Sequence, residues 1–309
     1  HFPGLWRRLP CLPLERMAGM TGLISRQNRY LTPHNLYTAF KYTIYLLLTY
    51  NILLWFQEDL AASAETFGDT VTWRNVVEAY SATFDTAAWV ILLLLFELET
   101  AVIPDDKLRG GLKWLFMAIR TLCYMLIVYS FWGYCVKYGL ISSAIPFAIA
   151  DPCELVGSGW NYIYLLDEYP PIDLAACTAM QGQELFRVVG TEIIATAEQW
   201  KDAVNLAIID IVNAGTWLII VVLLEVEVWL QIKDLLTDRL MQVMKVAKGF
   251  FYAILFICAI YWGFEGDFLD FWDAFLWLVA FIFIEMNIFQ WHEEVEEEHA
   301  QSPALTVGS

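Results

Sequence analysis

The chain has 309 residues, of which 59% are hydrophobic and only 17% charged, and its formal net charge is −17. Soluble domains carry about 25% charged residues, so this composition excludes an ordinary water-soluble globular protein. A deficit of Lys and Arg excludes a nucleic-acid partner, and 10 Pro with 17 Gly are too few for a disordered or collagen-like chain.

The hydrophobicity is concentrated in six blocks long enough to cross a bilayer, which takes about 20 mostly apolar residues. In chain order they cover about 38–56, 86–104, 115–135, 206–227, 246–264 and 269–290. An amphipathic stretch from Glu184 to Val204 is expected to extend the fourth helix. No cleavable signal-peptide pattern is expected. The predicted class is an all-α integral membrane protein of six transmembrane helices, with the lipid bilayer as its first partner.

Fourteen of the 18 basic residues fall on one side of such an arrangement: six in the N-terminal segment, four between the second and third blocks, and four between the fourth and fifth. The positive-inside rule then places both termini in the cytoplasm. The opposite, outer side is acidic, and its one long loop spans about 138–205. That loop holds Cys153 and Cys177, expected to form a disulfide in an oxidising compartment.

Self-similarity supplies the strongest pattern. The odd-numbered blocks share a basic residue followed four positions later by Tyr: Lys41 and Tyr45, Arg120 and Tyr124, Lys248 and Tyr252. The even-numbered blocks share [Asp/Asn]-x3-Trp-x7-Glu-x-[Glu/Asn]. The copies are Asp85, Trp89, Glu97, Glu99; Asn213, Trp217, Glu225, Glu227; and Asp273, Trp277, Glu285, Asn287. The chain therefore reads as three tandem two-helix repeats around a pseudo-threefold axis along the membrane normal. The boundaries are an N-terminal cytoplasmic or interfacial segment 1–36, hairpin 1 at 37–104, hairpin 2 at 105–230, hairpin 3 at 231–291, and an acidic cytoplasmic tail at 292–309.

At about 100° and 1.5 Å per residue, the Asp/Asn, Trp and second acidic positions form one helical stripe about 21 Å long. Facing the axis, three stripes would build an outer acidic ring, a tryptophan collar (Trp89, Trp217, Trp277) and an inner acidic ring. Carboxylate rings select cations and apolar constrictions gate, so movement of cations or protons is the first functional expectation. The alternative reading is structural: Asp85 and Asp273 as N-caps, the Trp residues as a lipid-facing belt, and Lys41, Arg120 and Lys248 closing an acid–base pair within each hairpin. The protein is then a non-catalytic accessory or scaffold subunit of a larger membrane complex, and in either case an oligomer or partner of other membrane subunits is expected. No GxSxG, HExxH, Walker A or GxGxxG motif suggests an enzyme. No mid-span His suggests haem, and no cofactor or metal is expected; His292, Glu296 and His299 read as part of a solvated acidic tail.

Overall fold

The computed structural model describes residues 33–66, 71–72, 76–99, 103, 110–233, 235 and 237–282. The chain divides into two compact units, 1–44 and 45–309. The helices are α1 (Pro33–Thr66), α2 (Val76–Ala79), α3 (Ser81–Glu97), α4 (Gly111–Ser142), α5 (Leu174–Met180), α6 (Ala197–Ile232) and α7 (Asp238–Glu265). A further helix, α8, is described over 268–282.

The described part of each expected span falls on a helix, and among the described residues four helices, α1, α4, α6 and α7, are long and apolar enough to cross a membrane. The other two expected spans fall on α3, with 17 residues, and on the described part of α8. Within 45–309, α3 packs on α4, α4 on α6, and α6 on α7.

Sequence chemistry accounts for the helix ends. Thr237 caps α7, its side chain accepting from the Leu240 N–H, and Gly266 ends that helix at φ 88°, a left-handed position that glycine fills without a Cβ clash. The chain turns at once into α8, whose first turn Asp267 caps by accepting from the Asp270 N–H.

The 143–196 segment corrects the expectation of a purely α-helical protein with a plain outer loop. It forms a small domain with a four-stranded sheet in the order β1 (Ile145–Pro146), β3 (Leu185–Arg187), β4 (Ile193–Thr196), β2 (Asn161–Tyr162). The β1–β3 and β3–β4 pairs are antiparallel and β2–β4 is parallel. The stretch from Glu184 is therefore strand rather than helix as far as Thr196. There a capping box takes over: Thr196 N–H donates to Gln199 Oε1 and the Gln199 N–H donates to Thr196 Oγ1, starting α6. Ile172, Cys177, Met180, Leu185 and Ile194 form the domain core. A second cluster, including Ile141, Ile163, Val188, Ile193, Leu206 and Trp262, joins the underside of the domain to the helices.

The expected disulfide is present between Cys153 and Cys177. It closes a loop over a sequence separation of 24, which in the chain-entropy model stabilises the domain by about 3 kcal/mol. A Cys153→Ser/Cys177→Ser protein is expected to lose about that much, read as earlier proteolysis within 143–196 while the membrane helices retain their circular-dichroism signal.

Candidate functional site: stacked polar layers around a tryptophan cluster

The repeated tryptophans meet. Trp89 on α3 lies 6.2 Å from Trp217 on α6 and 6.3 Å from Trp277 on α8, ring centre to ring centre. Phe281 packs 4.5 Å from Trp217 and 6.4 Å from Trp277. Trp217 and Trp277 are buried. This overturns the lipid-facing belt, since the indoles contact one another across three helices and close the space between them.

On the side of the cluster toward the disulfide domain lies a polar layer. Asp85 is the fifth residue of α3 and Asp273 lies within α8, so neither is an N-cap; the cap residue of α3 is Tyr80, and its side chain makes no capping bond. Instead Asp273 Oδ1 accepts from Asn51 Nδ2 at 2.7 Å. The Trp55 indole lies beside Asp273, Tyr134 beside Asp85, and Trp262 beside Asp210. Asn51 Oδ1, Ser130 Oγ and Asn213 Oδ1 are buried without a hydrogen-bond partner among the described residues. Within a membrane such atoms are costly unless a water, an ion or a moving proton engages them.

Two columns of this layer were legible in the sequence but are not part of the pattern above. Ten residues after Lys41, Arg120 and Lys248 stand Asn51, Ser130 and Cys258; fourteen after them stand Trp55, Tyr134 and Trp262. Extending the odd-helix alignment by four turns finds both. Asp210 and Asp270, three residues before Asn213 and Asp273, are a further omission.

Above this layer Lys137 of α4 forms an ion pair with Asp167 of the domain, and the charges of Asp210 and Asp59 also act on it. Asp167 holds φ 69°, a left-handed backbone that Asp tolerates better than most residues. Asp59, 5% exposed, accepts from both the Thr83 N–H at 2.8 Å and the Thr83 hydroxyl at 2.6 Å. It thus supplies from α1 the cap that α3 lacks locally.

Asp267 lies in the connection between α7 and α8. Burial is the main cause that holds its carboxyl above the usual carboxylate range; the bonds from Asp270 oppose this and the charge of Asp167 adds to it. The folded protein therefore binds this proton more tightly than the unfolded chain does. The stability it contributes is complete below the ordinary carboxyl range and is lost as pH rises through the folded value. Asp267→Asn keeps an acceptor for the cap and mimics the protonated acid. It is expected to melt above wild type at pH 8, with the gap closing toward pH 4.

At the other end of the helices the repeated acids are paired. Glu97 Oε2 accepts from the Tyr45 hydroxyl at 3.4 Å, and Glu225 Oε1 from the Tyr124 hydroxyl at 2.8 Å. Arg120 pairs with Glu99 at 2.5 Å and Lys248 with Glu227 at 2.9 Å. These two acid–base pairs join one expected hairpin to the next, so Arg120 meets an acid of the preceding hairpin rather than one of its own; the tyrosine–glutamate contacts close inside hairpins 1 and 2. Lys41 belongs to the 1–44 unit, where its ammonium lies 5.3 Å from the Tyr42 ring centre. Glu285, Asn287 and the histidines at 292 and 299 lie outside the described residues. Among the described residues no group of three His, Cys, Asp or Glu side chains is placed to hold a metal ion.

Fold and layers together define an α-helical protein of membrane-spanning composition with a disulfide-bonded domain at one end. No family model, curated protein or solved structure matches the chain.

Proposed function

We propose that this chain is a six-span membrane protein, built as three hairpins around a pseudo-threefold axis, that moves protons or small cations between its two polar layers, with the Trp89–Trp217–Trp277 cluster as its closed gate. The observation that carries the reading is the layer of buried, partnerless polar atoms beside Asp85, Asp210 and Asp273. Ionisable groups placed at such cost inside a membrane mark ion and proton routes. The threefold reading is supported by the recurrence of tyrosine–glutamate and base–glutamate contacts at matching positions. The distribution of basic residues orients both termini and the paired layer toward the cytoplasm and the disulfide domain outward.

Proteoliposomes holding a pH-sensitive dye test this. Wild type should dissipate an imposed proton or alkali-cation gradient, and Asp85→Asn/Asp273→Asn should slow it at least about tenfold, as expected when carboxylates essential to a route are neutralised. No wild-type flux under either gradient polarity overturns the proposal.

A second reading, an accessory subunit in a larger membrane assembly, is favoured by one specific feature. Glu99 and Glu227 find their bases within the chain and the tryptophans pack on one another, as a scaffold requires. Absence of flux together with co-purification of a defined membrane partner would establish it.

A further inference from the structure

A groove of about 1030 Å³ opens on the side of the helices, between α1, the Asp167–Pro170 turn of the domain and the start of α8. Its two ends differ in chemistry. Leu47, Tyr50 and Leu54 of α1 face Leu269 and Trp272 of α8 along the lower part. The upper end carries Glu58, Glu65, Asp167 and Glu168, and no Lys or Arg lines any part of the groove.

Two of these acids are engaged: Glu65 accepts from Asn161, and Asp167 pairs with Lys137. No hydrogen bond or ion pair engages the carboxylates of Glu58 and Glu168 among the described residues. They stand at the mouth of an apolar trough whose lining holds no cation; Lys137, behind it, is committed to Asp167. From Leu47 to Glu58 the helix rises about 16 Å, a span that suits an extended alkyl chain. Volume and lining match those of small-molecule sites, which are mostly apolar with a few polar groups that fix orientation.

We propose that this groove binds a single-chain amphiphile with a primary amine head, its ammonium held by Glu58 and Glu168 and its tail lying along Leu54 and Leu47 against Trp272. Charge decides the class. An anionic or phosphate-headed lipid would meet a lining of acids with no base among them, and a neutral alcohol would make no charge-assisted bond to Glu58 and Glu168. An ammonium supplies three donors to two acceptors on a partly desolvated surface, where charge-assisted hydrogen bonds are strongest. The site is independent of the proposed ion route.

The full chain in phosphatidylcholine nanodiscs, titrated with radiolabelled dodecylamine against empty discs, tests this. Expected is one saturable site per chain, displaced by unlabelled dodecylamine and at least about tenfold more weakly by dodecanol, the loss of one charge-assisted hydrogen bond. Glu58→Gln/Glu168→Gln should weaken binding by a similar factor. Leu54→Trp, which fills the trough and keeps every charge, should weaken it as well. No saturable component above empty discs overturns the proposal, as does dodecanol competing as well as the amine. If the double glutamine variant fails to fold by circular dichroism, Leu54→Trp and the alcohol competition decide; wild-type affinity in Leu54→Trp then overturns it.

Discussion

Trp217→Ala is expected to lower the unfolding free energy by about 3–5 kcal/mol, the range for truncating a large buried aromatic. Trp217 touches Trp89 at one edge and Phe281 at the other, so its removal takes partners from both and leaves a void that α3, α6 and α8 are poorly placed to fill. Thermal unfolding in detergent measures the loss, with Trp217→Phe expected to recover much of it. The same variant probes the gate. If the cluster blocks a route, proteoliposomes carrying Trp217→Ala leak protons faster than wild type; a scaffold loses stability and gains no leak. A fold as stable as wild type after truncation would show that the indoles do not hold the helices together.

Lys137→Met is the second large effect. It removes the ammonium that offsets Asp167 and acts on Asp59 and Asp210, while keeping most of the side-chain volume. Breaking a buried pair from one side costs about 3–5 kcal/mol, because the acids that remain are uncompensated. Lys137→Met/Asp167→Asn should recover part of that cost. A double-mutant cycle on detergent-solubilised protein measures the coupling. No destabilisation in Lys137→Met would mean that this ion pair does not hold the domain to α4.

The helical layout was legible because bilayer-length apolar blocks have few alternatives, and the disulfide because two cysteines shared one loop. The repeated spacing singled out three tryptophans, and in the structure Trp89 meets both of the others. The sheet was missed because strands of two to four residues carry too short a period to register. Thr196 and Gln199, a capping-box pair, did mark where strand gives way to helix. The capping role of Asp59 was not legible because its partner lies 24 residues away, at Thr83, and no local pattern encodes that distance. The partner of Arg120 was misplaced for a related reason: a stripe on one helix says which acids face inward, but not which neighbouring helix will meet them.

The base–glutamate pairs have a consequence for how the chain is made. Glu99 precedes Arg120 by 21 residues, and Glu227 precedes Lys248 by the same separation. In each case the acid emerges from the ribosome first, and its cation arrives only within the following helix, Arg120 in α4 and Lys248 in α7. Glu99 therefore waits for α4 and Glu227 for α7 before either finds its base. The order in which the helices are made is thus part of how these two pairs form.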